Sequence, residues 1–183
     1  AFDWAIRALR EFGLEGPAER WQEIRDEIRD EIEQRGWDAE RGTYTQYFGS
    51  EGVDASLLQL PQVGYLAPDD PRMVSTVEAI ERELLHDGLL LRYRTDTGVD
   101  GLPAGEHPFL ACSFWLVEQY ASSGRMDDAR VLMDRLVSFT NDVGLLSEEY
   151  DVAGDRQVGN VPQALSHLAL VRAADAIARH SAP

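Results

Sequence analysis

The chain has 183 residues, 44% of them hydrophobic and 27% charged, a balance that suits one globular domain or a large piece of one. Thirty-three acidic residues against 17 basic ones give a formal net charge of −16, and a surface this acidic repels nucleic-acid phosphates and anionic lipid, so neither is an expected partner. No run is long enough to form a transmembrane helix, and the single cysteine, Cys112, excludes both an internal disulfide framework and a Cys-rich zinc site.

Apolar periodicity predicts seven helices. The first spans about Phe2 to Phe12, with Phe2, Ile6, Leu9 and Phe12 on one face. The second runs from Pro17 to Arg35, where Trp21, Ile24, Ile28 and Ile32 form one narrow stripe among charges. A third, short helix covers Asp54 to Gly64, with Asp54 as N-cap and Pro61 kinking or ending it. Asp70-Pro71 opens the fourth, as an N-cap followed by proline at the first helical position. The fifth, Phe109 to Ala121, is apolar nearly all round and contains Cys112, which reads as a buried, inert thiol. Asp127 to Phe139 is an amphipathic sixth helix. The seventh begins near Asn160-Val161-Pro162 and reaches about Arg179.

Two alternations run through these elements. The second, fourth and sixth helices carry one apolar stripe and a charged back, which places them outside; the third, fifth and seventh are apolar over more of their surface, which places them inside. The links after the first, third and fifth helices are short, whereas those after the second, fourth and sixth are each roughly 15–25 residues, beyond the usual loop length. In an antiparallel stack the long links share one end. That is the layout of an α/α barrel, of which seven helices make about half. An open helical solenoid is the alternative, although no sequence repeat of fixed period is visible.

The long links hold the candidate site residues. The first contains Trp37, Tyr44, Tyr47 and Phe48. The second holds Arg92-Tyr93 and, after Thr95 to Gly105, Glu106-His107-Pro108. The third reads Gly144-Leu145-Leu146-Ser147-Glu148-Glu149-Tyr150-Asp151 and ends in Gly159-Asn160. Rings, arginine and paired carboxyls are what a sugar site needs, and hydrolysis of a glycosidic bond takes two carboxyl groups. Each residue also has a structural reading: Glu148 and Glu149 as solvated charges, Arg92 as a surface ion pair, the rings as packing against helix ends, and His107 and His167 as structural. Asp96, Gly98, Asp100 and Gly101 resemble a calcium loop only faintly, since Gly98 replaces a ligand and His107 stands where the closing Glu belongs. Nucleotide-binding, serine-hydrolase and zinc-protease motifs are all missing.

The run from Gly144 to Asp151, followed by Gly159-Asn160-Val161-Pro162-Gln163-Ala164-Leu165-Ser166-His167-Leu168, resembles glycoside hydrolase family 15, the glucoamylase and bacterial trehalase family. Asp54-Ala55-Ser56-Leu57-Leu58 and the stretch from Gly101 through Trp115 agree with it. The resemblance implies a chain that is all-α, about half of an (α/α)6 barrel, residues 1–183 being the C-terminal portion of a catalytic domain. It implies an inverting, exo-acting α-glycosidase acting on an α-glucoside or trehalose-type carbohydrate, with no metal or cofactor in the hydrolytic machinery. Glu148 matches the general base, with Glu149 as second choice. Arg92 matches a substrate-binding arginine, and Tyr47, Glu106, His107 and Tyr150 are further substrate-binding candidates. The family's general acid, the Glu of a Gly-x-Trp-Glu segment, has no match here; Gly36-Trp37-Asp38 falls in a different part of the pattern. The chain begins at Ala1 inside a helical pattern, which reads as a piece cut from a longer protein. Self-association through exposed inner-helix surface is therefore expected, and no visible signal peptide makes the cytoplasm the expected compartment. Two other readings stay open: a sugar epimerase of the same architecture, with His107 and His167 as its only catalytic histidines, and a non-catalytic helical interaction domain.

Overall fold

In the computed structural model the described residues are 1–95, 98, 101 and 105–181. They form six α-helices: α1 Phe2–Phe12, α2 Ala18–Arg35, α3 Pro71–Leu84, α4 Leu110–Ser122, α5 Met126–Val137 and α6 Ala164–Ser181. The third expected helix is instead a 3₁₀ turn, Ala55–Gln59. Its cap is the expected one, the Asp54 carboxylate accepting from the Ser56 N–H at 2.7 Å. It does not lengthen because Pro61 brings no N–H to an i−4 bond, and the chain tightens into i−3 bonds such as Leu60 N–H to the Leu57 carbonyl. The seventh helix starts at Ala164, just beyond Pro162. The calcium-like segment lies mostly outside the described residues.

Three reversals are tight, and a glycine with positive φ stands at each: Gly13 at 63°, Gly64 at 73° and Gly124 at 86°. Glycine, having no Cβ, adopts that backbone without steric cost. The other three links each carry a small antiparallel hairpin. β1 (Trp37–Asp38) pairs with β2 (Thr43–Tyr44) after α2. β3 (Leu85–His86) pairs with β4 (Leu89–Leu90) after α3. β5 (Glu149–Asp151) pairs with β6 (Arg156–Val158) after α5.

The inner and outer roles follow from burial. No residue of α2 is buried, whereas α4 is buried round most of its circumference, including Leu110, Ala111, Cys112, Phe114, Leu116 and Val117. It packs against α5, α6 and the 3₁₀ turn. From α3, Met73, Val77, Ile80 and Leu84 reach the same core. The last inner helix is only half covered: Ser166, Ala169, Ala173 and Ala176 of α6 are buried, but Leu165, Leu168 and Val171 are 59%, 62% and 61% exposed. Small residues face α4 and large ones face outward, the reverse of an ordinary surface helix. Among the described residues no helix is long and apolar enough to cross a membrane.

Polar contacts fasten the outer layer. Glu33 of α2 accepts from Tyr65 at 2.7 Å and from Arg72 of α3 at 2.5 Å. Tyr120 of α4 donates to Glu81 of α3, and Arg125 reaches the same carboxylate at 2.9 Å while lying 4.0 Å over the Tyr120 ring. Burial, reinforced by Glu81, holds the Tyr120 phenol above its ordinary range.

Phe114 is fully buried, whereas Val131 on the back of α5 is 72% exposed. Phe114→Ala is expected to cost about 3–5 kcal/mol and Val131→Ala less than about 0.5 kcal/mol, read as the shift of the urea-unfolding midpoint.

Candidate active site

The three long links are sewn together by main-chain hydrogen bonds, the second to the third at the start of α4. Asp54 bridges Tyr93, and the Ala55 N–H donates to the Arg92 carbonyl at 2.8 Å. Phe109 bridges Glu149, the Leu110 N–H donates to the Glu148 carbonyl at 3.0 Å, and the Tyr150 N–H to the Pro108 carbonyl at 3.1 Å. The first link thus abuts the second, and the second abuts the third. Arg92, Glu106, His107, Glu148 and Glu149 converge as a result.

Glu148 sits at the mouth of the β5–β6 hairpin and is partly buried. Its Oε2 accepts from the Asn160 side-chain amide at 2.8 Å and from the Asn160 backbone N–H at 3.2 Å. The Glu148 N–H in turn donates to the Asn160 carbonyl at 3.0 Å. A carboxylate gripped on one oxygen is held in one orientation while the other oxygen stays available to a water molecule.

Arg92 lies against two rings, its guanidinium 4.5 Å from the Tyr93 ring centroid and 4.8 Å from that of Phe109. One nitrogen donates to the Tyr93 hydroxyl at 2.6 Å and to Glu106 Oε1 at 2.7 Å. The other Glu106 oxygen is buried and finds no hydrogen-bond partner among the described residues. Such a lone acceptor is costly unless a ligand donates to it.

Glu149, next in the chain, has a different partner from Glu148. Its Oε2 accepts from the His107 backbone N–H at 2.9 Å. Burial, the leading cause, raises its carboxyl above the ordinary value; the charges of Glu106 and Glu148 add to the rise and the His107 N–H opposes it. The His107 ring lies 3.9 Å from Asp151, whose carboxyl is held low by the Gly154 N–H and Arg156. His107, Glu106, Asp151 and Leu91 line a cavity of about 230 Å³.

The remaining candidates lie elsewhere. Tyr150 is 6% exposed, stacked on Phe139 at 3.9 Å with its hydroxyl bonded to Asp155 at 2.6 Å, so its ring serves the core. Tyr47 is 54% exposed and lines a separate cavity of about 600 Å³ with Arg41, Glu83 and Arg94. Partly buried Trp37 packs edge to face on buried Tyr44, 5.1 Å away, while Phe48 lies under Arg35. Both His167 ring nitrogens are committed to backbone: Nδ1 is 2.8 Å from the Gln163 carbonyl, and Nε2 accepts from the Leu146 N–H at 3.3 Å. Cys112 is buried, and burial raises its thiol, which keeps it protonated and inert. No group of three His, Cys, Asp or Glu able to hold a metal occurs among the described residues.

Sequence reasoning missed Asn160 as the partner of Glu148. The signal was present: Tyr150-Asp151 and Arg156-Gln157 flank a Gly-Asp turn, and closing that hairpin brings position 160 back to 148. Gly159 makes the approach possible. Its φ is +75°, and a Cβ there would stand 2.9 Å from Glu148 Oε2. Gly159→Ala is expected to cost about 1–2 kcal/mol for the backbone alone and to turn the Glu148 side chain away from Asn160, observable as a loss of melting temperature and a displaced carboxylate in a crystal structure of the variant.

Comparison with known proteins places this geometry. Residues 1–175 match the family described as Glycosyl hydrolases family 15. A trehalase from Thermoplasma acidophilum is 42% identical over 175 residues, which cover 95% of this chain and 30% of that protein. One from Mycobacterium tuberculosis is 43% identical over 173 residues, covering 94% and 25%. The chain therefore spans less than a third of the length of these curated relatives. Among solved structures, a glycosidase in complex with glucose superposes with a TM-score of 0.77 at 23% identity, covering 94% of this chain and 47% of that one. The wild-type glycosidase gives 0.75 at 22% identity, over 88% and 45%. These likenesses show the fold, a set of helical hairpins amounting to about half of a helical barrel. By the match across nearly its whole length, the chain belongs to glycosyl hydrolase family 15.

Proposed function

We propose that residues 1–183 form the C-terminal portion of the catalytic domain of an inverting, exo-acting α-glycosidase, with trehalose as the first substrate to test. The observation that carries this reading is the grip of Asn160 on Glu148, close to the Arg92–Glu106 pair. It supports Glu148 as general base. One oxygen is anchored, and the other accepts a proton from water as that water attacks the anomeric carbon. The leaving oxygen takes its proton from a second carboxyl about 6.5–9.5 Å away, on the opposite side of the bond. No residue of this chain matches the family's acid segment, so that group comes from the rest of the protein. Arg92, aligned by Tyr93 and Phe109, donates to sugar hydroxyls. The lone oxygen of Glu106 accepts from one, and His107 borders the same space. Tyr47, on the separate larger cavity, remains a candidate for a more distant part of the substrate.

The trehalase relatives and the glucose-bound glycosidase support a sugar substrate of this kind. The reading needs no metal or cofactor. The outward row of Leu165, Leu168 and Val171 on α6 meets further helices of the barrel in the complete protein. In the 183-residue chain by itself it drives self-association.

In the complete enzyme Glu148→Gln is expected to lower the rate of glucose release from trehalose by about 10²–10⁴-fold, and retention of more than a tenth of the rate would overturn the assignment of the base. A panel of trehalose against maltooligosaccharides reports the linkage, and proton NMR of the first sugar released reports inversion. The purified 183-residue chain is expected to release no glucose and to scatter light as an oligomer, with Leu168→Glu shifting it toward monomer. A wild-type monomer at high concentration would count against the proposed exposed face.

A further inference from the structure

We propose that Glu149 is a positioning residue, a clamp whose carboxylate holds the Glu106–His107 segment against the loop that carries Glu148. The proposal rests on the hydrolase reading above and adds to it a residue that works through its neighbours.

The geometry is that of a two-sided fastening. The main chain of residues 148–150 pairs with residues 108–110 through the Phe109 bridge, the Leu110 N–H and the Tyr150 N–H. Those bonds stop at Pro108, which has no N–H of its own. Beyond it the segment toward Glu106 is held to the base loop by the Glu149 side chain, which accepts the His107 N–H at 2.9 Å. Glu106 is the next residue, and it carries the ion pair to Arg92. This contact, with the longer 3.9 Å approach of the His107 ring to Asp151 beside it, therefore helps to set the separation of the Arg92–Glu106 pair from Glu148. The Glu149 carbonyl is itself fixed by the Ser147 hydroxyl at 2.6 Å, so the clamp has a firm base.

A carboxylate is a costly choice for this place. Glu106 faces it from the second link, Glu148 adjoins it on its own loop, and His107, with Asp151 behind it, is the neighbouring titratable ring. Burial and two like charges favour the protonated form of Glu149, as does any fall in pH. Protonation makes it a neutral and weaker acceptor for the His107 N–H. The clamp consequently slackens in acid. A glutamine would keep an acceptor oxygen at the same reach without the charge, and this separates clamping from charge.

The test has two arms. In the 183-residue chain, hydrogen exchange at the His107 amide is read by NMR across pH. Glu149→Ala is expected to speed exchange about tenfold or more relative to its intrinsic rate, the protection one charge-assisted hydrogen bond supports. Glu149→Gln is expected to keep most of the protection and to remove its loss in acid. In the complete enzyme, Glu149→Ala is expected to lower kcat/KM at least tenfold. Glu149→Gln is expected to restore activity at the optimum and to extend the acid limb of the pH profile to lower pH. Unchanged His107 exchange in Glu149→Ala would overturn the clamp whatever the enzyme does. A Glu149→Gln enzyme as impaired as Glu149→Ala would overturn the positioning role in favour of one for the charge. Glu148→Gln tests the hydrolase reading separately, and His107 exchange reports on the clamp without any catalysis.

Discussion

The start of α4 is the point on which the rest of the structure depends. The first turn of a helix presents N–H groups without helical partners, and the chain on either side of Phe109 must find bonds of its own. Here the Leu110 N–H reaches the Glu148 carbonyl of the third long link, the Phe109 N–H reaches back to the Leu90 carbonyl of its own link, and Ser113 of α4 accepts from the Leu90 N–H. Because α4 is also the most buried helix, these bonds lie where water cannot replace them. Loops that would otherwise move independently are held to the innermost element of the fold, and the carboxyls they carry inherit its rigidity.

The electrostatics around this junction run against stability. Glu106, Glu148 and Glu149 gather in a chain whose net charge is already −16. Arg92 offsets one of them, the Asn160 amide orients a second, and the His107 N–H meets the third. A region selected only for folding would place apolar or singly charged residues there. Clustered like charges, each held by a different partner, mark this junction as the candidate functional site. The contrast with Glu81 is instructive. That carboxylate takes both Tyr120 and Arg125 on one oxygen and joins α3 to the α4–α5 hairpin.

Several parts of the fold were readable from local chemistry. Gly13, Gly64 and Gly124 mark the tight reversals, the Asp70-Pro71 pair opens α3, and the stripe-and-back pattern separates outer α2 and α5 from inner α4. These depend on neighbours within one or two turns, and composition there is sufficient. The 3₁₀ turn was harder, since apolar spacing over Asp54 to Gly64 does not distinguish i−3 from i−4 bonding, and Pro61 decides the matter. In α6, Ala169, Ala173 and Ala176 are buried while Leu165 and Leu168 are not. Hydrophobicity alone ranks these faces in the opposite order, because close approach to α4 requires small side chains.

Taken by itself, the sequence determined the helical class, the order of long and short links, the family, and Glu148 and Arg92 as the residues to watch. Each of these is carried by a short run of residues whose meaning does not depend on distant chain. The tertiary structure alone decided which side chains meet. Tyr150 and Glu149 are adjacent in sequence, yet strand alternation sends the first into the core against Phe139 and the second toward His107. Asn160 reaches Glu148 only because a hairpin closes between them. Contacts across 12 or 42 residues arise from the packing of loops on α4, and no local pattern encodes them.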